Sequence, residues 1–303
     1  MASLKSVKLK IAGIKKTKQI TKAMNMVASA KLRGAQQNIE RFRPYADKFY
    51  GMLNELSGQL AGISHPLLVN REEKKTAGIL LVTSDRGLCG GFNANLATAA
   101  LRLAKAKKEE GLSPVFYCVG RKGLDTVRKT SYTLEHSISG QMGALDFTVS
   151  SGLSNKIIEA YSAGELDEVT LVYAEFVSVT KNQVTTLPLL PVSQKELKES
   201  DEQALPEAEA EKSAVPAGDC IYEPEEELLI GDLLPRFVKV QVHRALLDTS
   251  ASEHAARMTA MDNATRNCDE ITEKLTLLYN KTRQATITTD LIDIVSGAEA
   301  LKG

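Results

Sequence analysis

Both ends of this chain repeat apolar residues at steps of three and four, and this spacing restricts the possible folds more than any other feature. The repeat runs for four heptads in residues 32–60 and returns near the C-terminus between Ile287 and Leu301. Such spacing places an apolar stripe along one side of a helix and is typical of a coiled coil. The sequence therefore predicts one helix over about residues 3–60 and another over about 225–300.

The N-terminal repeat changes phase once. Its first half consists of Leu4, Val7, Ile11 and Ile14, then Ile20, Met24 and Val27 in a shifted phase, and its second half of Leu32, Ala35, Ile39, Phe42, Ala46, Phe49, Leu53, Leu56 and Leu60. We expect the seam to change its facing partner where the phase shifts. Pro44 removes one backbone hydrogen bond and crowds the carbonyl of Glu40, so we expect a bend there rather than a break.

The C-terminal repeat is long enough to pair with the N-terminal one. It consists of Phe237, Val240, Val242, Met258, Met261, Ile271, Leu275 and Leu278, followed by Ile287, Leu291, Ile294, Ala298 and Leu301. Isolated helices of this kind are marginal in water, whereas paired helices bury each other's apolar stripe. We therefore expect the two helices to run antiparallel.

Between the helices the apolar period becomes that of strands. Residues 77–84 and 114–120 are short apolar runs separated by a helical stretch at 92–110, which is the spacing of a right-handed βαβ unit. Another helix is expected at about 145–163. Residues 169–190 read as an edge hairpin around Lys181 and Asn182, whose second strand Pro188 is expected to end.

An acidic stretch follows this α/β region. Residues 195–219 are poor in large apolar side chains and cannot offset the entropy of ordering by burial, so we expect a mobile loop over 193–222. The predicted segments are an N-terminal coiled-coil helix (1–60), an α/β domain (75–192), this loop, and a C-terminal coiled-coil helix (223–303). The predicted fold is an antiparallel coiled coil of the terminal helices with an inserted small Rossmann-like α/β domain.

Charge, cysteine spacing and hydropathy argue against a uniformly charged protein, a disulfide or zinc scaffold, and a membrane-spanning protein. The 38 basic and 38 acidic residues balance overall, but residues 1–43 contain eleven basic residues and only one acidic residue, Glu40. The four cysteines are far apart in the sequence, so neither a disulfide framework nor a zinc site is expected. No stretch approaches the ~20 apolar residues that a membrane-spanning helix needs.

The glycine-rich turn at 83–93, TSDRGLCGGFN, resembles the start of a nucleotide site. A phosphate-binding P-loop needs Lys and then Ser or Thr after its last glycine, whereas Phe92 and Asn93 follow Gly91 here. The spacing also differs from the dinucleotide fingerprint. We expect a structural turn with local hydrogen bonds from Ser84 and Asp85; anion binding at the helix start and a reactive Cys89 are the alternatives.

The four histidines form no metal-ligand spacing, and no nucleophile motif is present, so we expect no catalytic residue, cofactor or metal. Three blocks, residues 15–36, 83–93 and 257–301, together closely resemble the gamma subunit of F-type ATP synthases. The similarity covers essentially the whole chain in the same order, and its C-terminal block is the most specific.

The resemblance implies the central rotor shaft of a proton-translocating F-type ATP synthase, which transmits torque between a membrane ring and the catalytic sites of the beta subunits. The implied partners are a hexamer of alpha and beta subunits, the epsilon subunit and the membrane c-ring. The chain itself would be a non-catalytic subunit. It would lie peripherally on the cytoplasmic face of a bacterial membrane, because no extra segment precedes the family-like start; an organelle transit peptide is the alternative.

The resemblance also implies nine partner contacts. In sequence order these are Lys22, Met24, Tyr222, Glu223, Arg257, Arg283, Gln284, Thr288 and Asp293. Lys22, Met24 and Arg257 match contacts to one beta-subunit loop, and Arg283 and Gln284 match contacts to another. Thr288 and Asp293 match positions near the tip, and Tyr222 and Glu223 match the foot on the rotor ring. Each position could instead be a solvated or packing residue of a coiled coil.

Two other functions are compatible with parts of the sequence. A basic coiled coil that binds nucleic acid would use the N-terminal lysines on phosphates, although the chain lacks interleaved aromatic residues. A small nucleotide-dependent enzyme would use the α/β domain, although the turn lacks the P-loop Lys and Ser or Thr.

Overall fold

The computed structural model describes most of the chain. The described residues are 4–57, 65–71, 73–143, 145–179, 181–192 and 226–300. They form two compact units: residues 4–30 with 257–300, here called the helical unit, and residues 31–256, here called the sheet unit. The predicted loop at 193–222 lies outside the described residues.

Two long helices bracket the chain. Helix α1 comprises Leu4–Ser57, and helix α5 comprises Glu226–Ala300. Both confirm the predicted helices, and α1 continues through Pro44 without a break. Because each helix contributes to both units, the predicted segment boundaries do not coincide with the compact units and remain a prediction as domain boundaries.

The described part of the sheet unit also contains five strands, three α-helices and a short 3-10 helix, Pro66–Leu68. The strands and α-helices are β1 Thr76–Val82, α2 Phe92–Glu109, β2 Ser113–Val119, α3 Arg121–Val127, β3 Thr133–Ile138, α4 Phe147–Ser162, β4 Glu168–Phe176 and β5 Asn182–Leu190. The strand order is β3-β2-β1-β4-β5, with four parallel strands and antiparallel β5 at one edge. The predicted βαβ unit and edge hairpin are confirmed. The sequence interpretation missed α3 and β3.

One expectation about the hairpin is wrong. Pro188 does not end the second strand, because β5 continues to Leu190 and Pro188 lies opposite Thr170 of β4. An edge strand can include proline because a strand with only one neighbour has backbone amides that need no strand partner.

The sheet is covered by helices on both faces. One face packs against α2 and α3 through residues such as Phe92, Leu96 and Leu124. The other face packs against α4 and against parts of α1 and α5 in a larger core. The α1 residues in that core include Ala46, Phe49 and Leu53, which the repeat assigned to a coiled-coil seam. That part of the repeat therefore packs into a sheet core, with strands as well as helices as neighbours.

In the helical unit α1 and α5 pair antiparallel. Lys18 contacts Asp269, Thr21 contacts Thr265, and the Asn25 side chain donates to a backbone carbonyl of α5, so that rising α1 numbers meet falling α5 numbers. This confirms the antiparallel arrangement for residues 4–30 and 257–300.

The phase shift that the sequence suggested in α1 is wrong. Ile20 and Val27 are 60% and 58% exposed, whereas Thr21 and Ala28 are buried. The seam keeps its phase from Ile14 through positions 18, 21, 25 and 28, which are mostly polar. In α5 the seam likewise runs through 261, 265, 268, 272 and 275, so the expected seam residues Ile271 and Leu278 are exposed instead.

Candidate partner-contact surfaces

The glycine-rich turn lies at the carboxyl ends of the parallel strands, where nucleotides bind in related folds. Its Asp85 carboxylate accepts backbone N–H bonds from Arg121 at 3.1 Å, Gly140 at 2.8 Å and Met142 at 3.1 Å. Arg121 is the first residue of α3, and Gly140 and Met142 lie in the loop that follows β3, so Asp85 joins its own turn to both. A carboxylate of the chain itself therefore occupies these three amides.

Further hydrogen bonds within the turn join Ser84, Cys89 and Asn93. The backbone N–H of Ser84 donates to Asn93 Oδ1 at 3.0 Å, and Asn93 Nδ2 lies 2.8 Å from Ser84 Oγ and 3.2 Å from Cys89 Sγ. Cys89 is buried, so the reactive-thiol alternative has no accessible sulfur to support it. The local bonds of Ser84 are confirmed, while those of Asp85 reach residues 36 to 57 positions away.

The turn also packs tightly against the start of α3. Gly120 has φ +91°, and a Cβ atom there would lie 2.1 Å from the carbonyl oxygen of Thr83. The Thr83 hydroxyl donates to Val119 O and accepts from the backbone N–H of Gly123 at 2.8 Å. The glycines and hydroxyls of this region thus join β1 to α3, and the turn is structural.

The predicted contacts of the first group lie on the helical unit. Lys22 is exposed, Met24 is half-buried and Arg257 is buried. Asn25 Nδ2 donates to the Met258 carbonyl at 2.8 Å, so the adjacent Met24 and Arg257 lie at the same level of the helix pair. The structure therefore brings Met24 and Arg257 to the same level of the helix pair although they are 233 positions apart in sequence.

The second group lies on the C-terminal part of α5. Arg283, Gln284, Thr288 and Asp293 are all exposed, and the Thr288 hydroxyl donates to the Gln284 carbonyl at 3.0 Å. Tyr222 and Glu223 lie outside the described residues.

This part of α5 extends past the described start of α1. Since both helices rise equally per residue, Leu4, 14 positions before Lys18, lies opposite about residue 283. Residues 283–300 are all exposed. They include Ile287, Leu291, Ile294 and Val295, which are 51% to 68% exposed. We call residues 284–300 the tip.

Three exposed apolar side chains lie on α1, away from its seam. Leu9, Ile20 and Val27 are 58% to 65% exposed and are separated by eleven and seven residues, close to whole numbers of helical turns. They therefore lie along one side of the helix. They are roughly 16 Å and 10 Å apart along the helix axis, so each is a separate exposed apolar side chain.

Three polar contacts between α1 and α5 were missed from the sequence. They are the ion pair of Lys18 with Asp269, the 2.8 Å contact of the Thr21 and Thr265 hydroxyls, and the Asn25 bond to Met258. We call them the polar layers. The sequence feature that points to these positions is their spacing. Steps of three and four residues continue without a break from Ile14 to Ala28 and pass through all three α1 residues.

Comparison with known proteins agrees with this arrangement. A family profile described as ATP synthase matches residues 3–301. The ATP synthase gamma chain of Nitratidesulfovibrio vulgaris Hildenborough is 61% identical over 303 residues and covers both chains completely. The chain belongs to the ATP synthase gamma-chain family. The gamma chain of Lawsonia intracellularis, 52% identical over 302 residues with 100% of each chain covered, is a further relative.

Solved structures show the same architecture. The central stalk and c-ring structure of the Tetrahymena thermophila mitochondrial ATP synthase contains a chain with 28% identity and a TM-score of 0.59, covering 81% of this chain and 99% of that one. A chain of the Euglena gracilis enzyme has a TM-score of 0.62 at 20% identity, covering 98% and 94%, and supports the fold alone.

Family membership decides among the functions that the sequence left open. The chain is a non-catalytic gamma subunit of a rotary ATP synthase and part of its central stalk, and the nucleic-acid alternative is not supported. Over the described residues, no helix is both long enough and apolar enough to cross a bilayer. Within the same residues, no three His, Cys, Asp or Glu side chains are grouped to hold a metal ion.

Proposed function

We propose that this chain transmits torque between a proton-driven membrane c-ring and the catalytic beta subunits of its ATP synthase. In this proposal the helical unit lies inside a hexamer of alpha and beta subunits, and the sheet unit contacts the epsilon subunit and the ring. The complex lies on a bacterial membrane, with this chain attached peripherally at the cytoplasmic face. This proposal assigns a role to each predicted segment. The helices at 1–60 and 223–303 contact the hexamer, and the α/β domain at 75–192 contacts the epsilon subunit and the ring.

The observation that carries the proposal is the tip. The tip is about 17 residues long, and the apolar side chains along it are exposed to water. This exposure is unfavourable, because each square ångström of apolar surface in water costs roughly 25 cal/mol. A partner that encloses the tip would remove this cost. Apolar contacts are also non-directional, so a surrounding sleeve can hold the tip while it turns.

The shape of the contact surface supports coupling to several equivalent sites. Two paired helices have no threefold symmetry, so three identical neighbours must each meet a different side of the pair. A neighbour that binds one nucleotide state better on one side is biased towards that state. Turning the pair would then change nucleotide affinity at the three sites in sequence.

The contact residues remain a proposal. Lys22, Met24 and Arg257 share one level of the helix pair, which supports a single beta-subunit loop as their partner. The next two proposed contacts, Arg283 and Gln284, begin where α5 leaves α1.

Thr288 and Asp293 are exposed on the tip. We keep Tyr222 and Glu223 as proposed contacts to the rotor ring.

The test is a pair of substitutions in the assembled enzyme. We expect Arg283→Ala with Gln284→Ala to lower ATP synthesis in reconstituted vesicles while the chain still folds and assembles. The matched control is Glu273→Ala with Lys274→Ala, two exposed residues of α5 in its paired part. Equal ATP synthesis by the parent, the control and the test variant would contradict the proposed contacts.

A further inference from the structure

A cavity of about 290 Å³ in the sheet unit is lined by an unusual number of charged groups. It lies where α1 and α5 meet the carboxyl end of β4. Its lining includes carboxylates from all three elements: Glu40 and Asp47 of α1, Glu175 of β4 and Asp248 of α5. Arg43 of α1 and Arg244 of α5 are the basic residues, so carboxylates outnumber guanidinium groups by four to two.

Asp248 is the most buried of these carboxylates, with 8% of its surface exposed. Its ionic partner, Arg244, is one helical turn away, and their nearest side-chain atoms are 4.0 Å apart, beyond hydrogen-bonding distance. Glu175 is held near it by the Thr185 hydroxyl, which donates to Glu175 Oε2 at 3.1 Å. The charged form of Asp248 is therefore poorly compensated.

The groups facing Asp248 divide by sign. Arg244 on its own helix and Arg43 on α1 favour its charged form, whereas Glu175 on β4 disfavours it. Two phenols, Tyr50 and Tyr173, also face this region, and burial raises the pKa of each, so both are neutral near pH 7.

Burial decides the outcome. It raises the pKa of Asp248 from 3.8 to about 7, because removing a carboxylate from water costs more than the distant arginine returns. In the unfolded chain the same group is charged above about pH 4. The folded chain therefore holds a proton that the unfolded chain has released.

We propose that Asp248 is a proton-binding site at the junction of α1, β4 and α5. The proton removes a charge from the cavity and favours the packed junction. When the proton leaves, a buried negative charge appears in the cavity, and the contact of α1 with α5 in the sheet unit weakens. This gives the gamma chain a pH-sensitive junction, separate from the contact surfaces proposed above.

The sign of the pH effect follows from proton linkage. A group whose pKa is higher in the folded state stabilises the fold below its unfolded pKa and loses this effect as the pH rises through its folded pKa. For Asp248 the loss extends from about pH 4 to about pH 8. His243, also in α5, acts oppositely, because burial lowers its pKa and its stabilising effect is lost as the pH falls below about 6.5.

The test compares the parent and an Asp248 variant of the full chain between pH 6.5 and 8.5, so that His243, which both contain, contributes equally to the two pH profiles. We expect the unfolding equilibrium constant of the parent to rise about fourfold across this range through Asp248 alone. The measurement is urea unfolding followed by circular dichroism at a series of pH values. In Asp248→Asn this component is absent, so its pH profile differs from that of the parent by the same fourfold factor across the range.

The matched control is Asp290→Asn, which changes an exposed acidic residue of the same helix and should keep the parent's pH profile. A parent and an Asp248→Asn variant with equal pH dependence would overturn the proposal. If the variant does not fold, carbon-13 NMR of the Asp248 carboxyl in the parent decides the question. A titration midpoint between pH 6 and 8 supports the site, and one below pH 5 overturns it.

Discussion

Residues 245–255 of α5 are all buried in the sheet unit, whereas residues 283–300 of the same helix are all exposed in the helical unit. The first segment is stabilised by apolar neighbours from the sheet, α1 and α4. The second contains no buried or half-buried side chain. One continuous helix thus combines a part that its own chain buries with a part that is exposed in this chain, and in the proposed function other subunits cover that exposed part.

The α1 residues of the repeat are apolar in the sheet unit and include polar residues in the helical unit. In the sheet unit the α1 repeat contributes Ala46, Phe49 and Leu53 to an apolar core. In the helical unit the equivalent positions of α1 include Lys18, Thr21 and Asn25, which bond to α5 through polar groups. Polar seam residues lower the stability of a helix pair but specify which groups face each other. The outward apolar residues remain available for partners.

The largest expected difference between the units concerns glycine. Gly120→Ala would place Cβ 2.1 Å from the Thr83 carbonyl at φ +91°, so we expect a loss of about 4 kcal/mol or more. Gly13→Ala in α1 meets nothing within 4 Å and should stabilise the chain by up to about 1 kcal/mol. Urea unfolding of both variants checks this, and equal effects would show that the turn is not tightly packed.

A smaller difference is expected for one leucine in each unit. Leu246→Ala removes a fully buried side chain from the sheet core and should cost about 3 kcal/mol. Leu275→Ala removes a half-buried seam residue and should cost about 1 kcal/mol, because the site was already partly in water. Both free energies of unfolding come from urea titrations of the full chain. Similar losses would mean that the helical unit is packed as densely as the sheet core.

The sequence could predict the elements that follow a simple period. The terminal helices, the parallel pair β1 and β2 and the edge hairpin all follow from apolar spacing. The polar layers could not be chosen that way, since Ile20 and Val27 are the more apolar residues nearby but face outward. The role of Asp85 was also beyond prediction, because its partners Arg121 and Met142 reach it only through the sheet order.

The smallest expected effect concerns one polar layer. Thr21→Val alone leaves the Thr265 hydroxyl its bond to the Met261 carbonyl, so the cost should be about 1 kcal/mol. Thr21→Val with Thr265→Val keeps the shape of both side chains and should be neutral or slightly stabilising. A double-mutant cycle in urea measures the coupling, and strictly additive losses would contradict a direct contact between the two hydroxyls.

The most direct test of the account is amide hydrogen exchange of α5 in the free chain and in the assembled ATP synthase. Residues 245–255 should exchange slowly in both, because their own chain buries them. The tip, residues 284–300, should exchange quickly in the free chain and at least about a hundredfold more slowly after assembly. A tip that exchanges equally fast in the assembled enzyme would contradict the claim that this surface is made for surrounding subunits.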